Sequence, residues 1–160
     1  MTIEYTCIDS PAGQVWVAWC RDGLVSVDFV DPLEDAQPDP DWEYNADLRC
    51  DAVDQLNAYF AGTLREFDLP LVLHGTDFQK RVWRELAKIR YGETTTYGAI
   101  AGQLGKPTAS RAVGAANGQN PISIVLPCHR VIGKNGKLTG YSGGIDKKEK
   151  LLRFERDCLS

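Results

Sequence analysis

Histidine is scarce in this 160-residue chain, which holds only His74 and His129. The five cysteines, Cys7, Cys20, Cys50, Cys128 and Cys158, are scattered, odd in number and without a CxxC pair. A zinc centre would have to gather thiolates from distant segments, so no metal is expected and the thiols should be free. No segment approaches the ~20 apolar residues of a spanning helix. The opening MTIEYTCIDS has no basic stretch leading into an apolar run. Membrane spans and secreted disulfide scaffolds are set aside, and a cytoplasmic globular protein is expected.

What is present is 43% apolar and 25% charged, enough for one large domain or two small ones. The net charge of -4 conceals an asymmetry. Residues 1–73 hold 3 Lys/Arg against 15 Asp/Glu, net -12, whereas residues 74–160 hold 15 against 7, net +8. A basic half joined to an acidic one assigns phosphate contact to the C-terminal half. A solvated acidic surface with incidental basic excess is the plainer alternative.

Residues 2–9 and 14–21 are rich in Ile, Val, Tyr, Thr and Trp and flank Ser10-Pro11-Ala12-Gly13, which predicts a hairpin. Asp22-Gly23 then predicts a tight two-residue loop into a third antiparallel strand over 24–30. Residues 31–46, acidic and carrying Pro32, Pro38 and Pro40, read as a solvated loop. Over 47–61, Leu48, Ala52, Leu56, Tyr59 and Phe60 recur at helical spacing until Gly62. A short apolar stretch over 69–73 leads to Gly75, which gives domains of 1–74 and 75–160. In the second, a helix is predicted over 77–89 with Thr76 as cap and an apolar stripe of Phe78, Val82, Leu86 and Ile89. Residues 97–104 and 108–118, joined by Gly105-Lys106-Pro107 and with Thr108 as cap, have helix-turn-helix spacing. An Asn120-Pro121 stop, a short apolar run over 122–126 and a glycine-rich loop precede a last helix from about Asp146. The fold class is α+β: a small N-terminal α/β domain with an antiparallel sheet, then a mainly helical domain containing the helix-turn-helix.

Cys128 is the most suggestive thiol, because His129 and Arg130 adjoin it and nearby positive charge or a base favours thiolate. In an extended segment, however, Cys128 and His129 point to opposite faces. Proton transfer would then need a bend, a water or a distant partner, and a buried structural cysteine is an equal alternative. The segment Ser110-Arg111-Ala112-Val113-Gly114-Ala115-Ala116-Asn117-Gly118 is unusual for a contacting helix, since small residues dominate it. Such a helix could lie close to bases in a shallow groove with Arg111 filling a gap in the stack, or it could be a packing face.

The string from Gly92 to Glu155 resembles the O6-alkylguanine-DNA alkyltransferases. The likeness rests on Thr95-Thr96-Tyr97-Gly98, Ser110-Arg111-Ala112-Val113-Gly114, Asn120-Pro121, Pro127-Cys128-His129-Arg130-Val131 and Gly140-Tyr141-Ser142-Gly143-Gly144. The PCHRV string is highly specific, and Ser10-Pro11-Ala12-Gly13 resembles the family's N-terminal domain, which implies a ribonuclease H-like sheet.

The resemblance implies direct-reversal DNA repair, in which an alkyl group passes from the O6 of a flipped guanine, or the O4 of an alkylated thymine, irreversibly onto Cys128. By the same resemblance His129 is the base acting through a water, Glu155 orients it, and Tyr97 turns the nucleotide outward and donates a proton. Arg111 plugs the stack, while Thr95, Ser110, Ala112, Gly114 and Asn117 join it against the minor groove of double-stranded DNA. Main-chain oxygens of Cys128 and Val131 and the amide of Ser142 read the base, Tyr141 closes the pocket wall, Lys148 belongs to the pocket, and Asn120 ties the recognition helix to the nucleophile segment. No cofactor, metal, membrane or obligate protein partner is implied. Leu151, Leu152 and Glu155 can share the inward face of the last helix.

Two departures from the family pattern are visible: Ser123 stands where many members carry proline, and Lys150 where a tryptophan is common. Three rival readings remain. One is a relative that flips alkylated bases without repairing them, against which Cys128 itself argues. Another is a cysteine hydrolase, for which no oxyanion-hole motif is evident. The third is a helix-turn-helix regulator, which calls for a larger and more polar recognition helix.

Overall fold

The structure, a computed structural model, describes residues 2–31, 36–139, 141 and 144–160. Its backbone forms two compact units, Met1–Leu73 and His74–Ser160.

In the first unit, β1 (Glu4–Ser10) and β2 (Gly13–Cys20) pair antiparallel from Glu4 opposite Trp19 to Ser10 opposite Gly13. The Ser10 hydroxyl accepts from the Ala12 amide and donates to the Gly13 carbonyl, so the turn is held by its own serine. The strand β3 (Gly23–Phe29) pairs antiparallel with β2. The expected Asp22-Gly23 loop is shifted by one residue: Gly23 pairs with Cys20, and Arg21-Asp22 make the turn. The cause is close approach. A Cβ at Gly23, whose φ is +141°, would sit 2.3 Å from the Pro70 carbonyl oxygen, and that oxygen accepts from the Leu24 amide at 2.8 Å.

A fourth strand, β4 (Glu43–Tyr44), lies within the segment expected to be loop and pairs parallel with β1. The sheet order is β3-β2-β1-β4, so the sheet is antiparallel except at this edge. Tyr5 packs its ring against those of Trp42 and Tyr44, and Asn45 donates to Glu4 at 2.7 Å. Two aromatics among acidic residues are too few to produce a strand-like alternation. The helix α1 (Asp51–Phe60) starts four residues later than its apolar spacing suggests, because Asn45 takes the Asp47 and Leu48 amides into a turn. Its Ala52, Leu56 and Tyr59 are buried with Val15, Val17, Leu24, Val27 and Phe29 of the sheet.

In the second unit, α2 (Asp77–Leu86) opens on a reciprocal cap: Thr76 accepts from the Gln79 amide, and the Gln79 side chain accepts from the Thr76 amide. Its buried residues are Val82, Trp83 and Leu86; Phe78 is only half-buried, with the Lys106 ammonium 5.4 Å from its ring. Trp83, absent from the expected stripe, donates to the Ala116 carbonyl at 2.9 Å. A two-residue strand β5 (Thr95–Thr96) runs into α3 (Tyr97–Gln103), where Thr96 is the N-cap. The partner helix α4 (Ser110–Gly118) has Ala109 at its N-cap position and no side-chain cap. Thr108 therefore does not cap it, because the chain first closes a turn from the Ala109 amide to the Lys106 carbonyl.

Beyond α4, residues 122–126 form turns rather than an extended run, with the Leu126 amide bonded to the Ile122 carbonyl and Ile124 at φ +75°. A 3-10 turn over Cys128–Arg130 leads into β6 (Val131–Ile132), which pairs parallel with β5, Thr95 opposite Val131. The unit ends with α5 (Ile145–Leu159), which buries Lys148, Leu151 and Glu155 on one face and leaves Leu152 half-buried. None of the helices among the described residues is long and apolar enough to cross a membrane.

Candidate active site

The 3-10 turn decides the geometry around Cys128. The Cys128 amide bonds to the Leu126 carbonyl at 2.7 Å and the Arg130 amide to the Pro127 carbonyl at 2.9 Å, so the segment bends where an extended chain would separate Cys128 from His129. Cys128 is 2% exposed and His129 is fully enclosed. The His129 Nε2 lies 2.8 Å from Glu155 Oε2, and His129 Nδ1 is buried without a hydrogen-bond partner among the described residues.

Glu155 is fully buried, yet several donors converge on it. Besides His129, it accepts from Arg130 Nε at 3.0 Å and Nη2 at 2.8 Å, and from the Gly92 amide at 3.1 Å. Burial alone would favour its neutral form, but the hydrogen bonds from His129 and Arg130 and the positive charge of Arg130 outweigh this and hold the carboxyl well below the usual carboxylate range. An ionised Glu155 can only accept, so the Nε2 facing it carries the hydrogen and Nδ1 keeps the lone pair. Burial also pushes the histidine down, against the pull of Glu155, so the ring is neutral at physiological pH. Arg130 does not offer Cys128 the free positive charge that its sequence position suggests. Its guanidinium is paired with Glu155, and its Nη1 donates to the Ile89 carbonyl at 2.7 Å.

Tyr97 opens α3 and donates its hydroxyl to the Thr139 carbonyl at 2.8 Å; burial raises its pKa, so it remains a phenol. Lys148 shares that carbonyl at 2.8 Å, with its Nζ 3.5 Å from the Tyr97 oxygen. Burial pulls its pKa down to about 8, opposed by the field of Cys128. Asn120, 4% exposed, donates to the Leu126 carbonyl at 2.8 Å and accepts from the Ile122 amide at 3.0 Å, which ties the end of α4 to the segment before the nucleophile.

On α4, Arg111 and Ala112 are exposed, and Ser110 and Gly114 are half-buried, as is Thr95 on β5. A Cβ at Gly114 would stand 3.8 Å from the Tyr97 ring, so a longer side chain there would crowd the tyrosine. Asn117 does not sit on the nucleic-acid face expected for it. It is 2% exposed on the inward side of α4, its amide nitrogen 3.5 Å from the Cys128 carbonyl oxygen. The helix turns it inward with Val113 and Ala116. Val131 and Tyr141 are buried. Ser142 lies outside the described residues. Among the described residues, no group of three or more His, Cys, Asp or Glu could hold a metal ion.

Comparison with known proteins bears on the whole chain. Residues 3–73 match the model of the 6-O-methylguanine DNA methyltransferase ribonuclease-like domain, and residues 77–157 match that of the DNA-binding domain of the same family. The chain belongs to the 6-O-methylguanine DNA methyltransferase family. A methylated-DNA--protein-cysteine methyltransferase of Mycolicibacterium paratuberculosis is 53% identical over 96% of this chain and 93% of its own length. One from Methanosarcina acetivorans is 50% identical over 96% and 99%. Among solved structures, Mycobacterium tuberculosis O6-methylguanine methyltransferase superposes with a TM-score of 0.86 at 50% identity, covering 98% of this chain and 94% of that one. The Mycobacterium tuberculosis protein in complex with DNA gives 0.88 at 51% identity, covering 97% and 94%. The expected α+β family fold is thus present, and DNA is the family's partner.

Proposed function

We propose that this protein repairs alkylated DNA by direct reversal, moving the alkyl group from the O6 of a guanine flipped out of the duplex onto Cys128, once per molecule. The observation that carries this reading is a buried thiol followed in the same turn by a neutral histidine, whose Nε2 is anchored on an ionised glutamate and whose Nδ1 is free to accept a proton.

The steps combine the roles that the family resemblance implies with the chemistry of the groups described above. His129 Nδ1 takes the thiol proton through a water, which leaves thiolate beside a histidinium held by Glu155. The Cys128 sulfur attacks the alkyl carbon, the carbon–oxygen bond breaks, and its electron pair passes to O6 and the purine ring. Tyr97, a phenol at neutral pH, donates a proton to the developing purine anion, with Lys148 close to its oxygen. The product is a thioether, and no group among the described residues of the site can return it to a thiol. O4-alkylthymine undergoes the same displacement. A buried thiol requires the base to leave the stack at a cost of a few kcal/mol. Exposed Arg111 fills the gap, and the small residues of α4 admit the helix to the minor groove.

The test is to mix the protein with duplex DNA carrying one O6-methylguanine and weigh the intact chain. One methyl group should appear, map to Cys128 and be absent from Cys128→Ser. Tight binding without transfer would overturn the reading in favour of a damage-binding relative.

A further inference from the structure

Among the described residues, Arg130 is the one charged group at the site to which the displacement assigns no role, although it is only 5% exposed. Three features fix its direction. Nε and Nη2 grip Glu155, with Oε2 shared between Nη2 and His129 Nε2 at 2.8 Å each. Nη1 donates to the Ile89 carbonyl at 2.7 Å, and the guanidinium lies 5.6 Å from the centre of the Tyr91 ring. It is a rigid, two-point clamp on the carboxylate that orients the histidine.

A buried carboxylate bonded to a histidine and to nothing else draws a proton onto the ring. A protonated ring cannot accept the thiol proton, so an unshared Glu155 would orient the base and disable it together. Arg130 separates these effects. It supplies the positive charge that Glu155 needs and leaves the ring neutral, while the carboxylate remains in place to stabilise histidinium once the thiol has ionised. The charged groups around His129 are Glu155 and Lys148 from α5, Arg130 from its own turn and Cys128 beside it. Burial is the largest influence against protonation of the ring, Glu155 favours protonation, and Arg130 and Lys148 oppose it.

We propose that Arg130 is a positioning residue for the alkyl transfer: by clamping both oxygens of Glu155 it fixes and neutralises the carboxylate, so that His129 is oriented yet uncharged in the resting protein. The inference rests on the proposed transfer to Cys128. A purely structural Arg130, serving only to join α5 to the turn, would matter for stability and not for the protonation of the ring.

The experiment is an NMR titration of the histidine rings in the full chain, where exposed His74 gives the only other signal, together with the pH dependence of methyl transfer. Arg130→Met should raise the His129 midpoint by about one pH unit or more. The transfer rate of that variant should then fall more steeply between pH 8 and pH 6 than the wild-type rate does over the same range. Arg130→Lys, which keeps the charge but not the two-point grip, should hold the midpoint nearer the wild-type value. Should Arg130→Met not fold, Arg130→Gln, uncharged but able to donate one hydrogen bond, reports the same shift. An unshifted His129 in the uncharged variants, or an equal shift in Arg130→Lys, overturns the proposal. The titration needs no DNA, so failure of the wild-type chain to take up a methyl group would sink the proposed function and leave the test of Arg130 readable.

Discussion

Replacing Glu155 with glutamine tests the reasoning about the site most severely. The substitution keeps shape and removes one charge, so Arg130 is left buried beside a neutral amide and His129 loses its anionic partner. Breaking a buried pair by removing one member costs about 3–5 kcal/mol, a large share of the ~5–15 kcal/mol that holds a typical domain together. With urea slopes of ~1–3 kcal/mol per molar, a loss of about 3 kcal/mol moves the midpoint down by about 1–3 M. The fluorescence of Trp83, buried in the same unit, can follow the transition. The pH dependence supplies the sharper half of the test. Glu155 is depressed in the folded state, so its contribution is complete above the unfolded value of about 4.3 and drains away as pH falls towards the folded value. At pH 3.5 the unfolded chain has taken up most of a proton that the folded chain refuses, which is worth about 1 kcal/mol. In a His129→Gln background, where the histidine does not titrate, the gap between His129→Gln and His129→Gln/Glu155→Gln should narrow by that amount. A midpoint loss under about 0.3 M at pH 7, or a gap that stays constant into acid, would refute the account of Glu155 as an ionised hub.

Other consequences can be measured on the same preparations. Ser123 is fully buried and its hydroxyl has no partner among the described residues, so Ser123→Ala should stabilise the protein by about 1 kcal/mol in urea melts; destabilisation would mean that the hydroxyl is satisfied. Arg111 is exposed, so Arg111→Ala should leave stability within about 0.5 kcal/mol. It should slow methyl transfer from duplex DNA while leaving reaction with the free O6-alkylated base unchanged, and an equal loss on both substrates would remove the stack-filling role. His129 is pushed below its ordinary 6.5, so the acid limb of the transfer rate should fall below pH 6.5. A limb above pH 7 would mean that the resting ring is charged.

The strands and helices whose residues repeat in step with their own geometry were legible in the sequence, as were the cap at Thr76 and the turn at Ser10. Elements set by tertiary contact were not. The edge strand β4 depends on Tyr5, 39 residues before Tyr44, and the one-residue shift at Gly23 depends on the Pro70 carbonyl. At the site, Cys128 and His129 are adjacent in sequence, but the 3-10 turn that bends the chain between them leaves no signature there. Glu155 is 26 residues from His129, and no local pattern joins them; its likeness to family members suggested the link, and the structure brings the two to 2.8 Å. Arg130 was visible as a neighbouring charge, but its direction was not, because a side chain in a 3-10 turn follows neither strand alternation nor helical spacing. The one available signal was a cation directly before the apolar pair Val131-Ile132, where an unpaired charge would be costly. Asn117 was placed on the nucleic-acid face by resemblance alone, whereas its register on the helix sets it inside with Val113 and Ala116.

The bonds around Glu155 also govern when the thiol becomes dangerous. Each links segments far apart in sequence, 25 to 63 residues, so none can form until long loops have closed and α5 has docked. Before that moment Cys128 is an ordinary thiol with no base beside it. A reagent that can be used only once gains from this order of events, since a nascent or misfolded chain meeting an alkylating agent is not primed to consume itself. Arming is thus a late, cooperative act of folding, and loss of α5 packing should quiet the sulfur before it unfolds the rest.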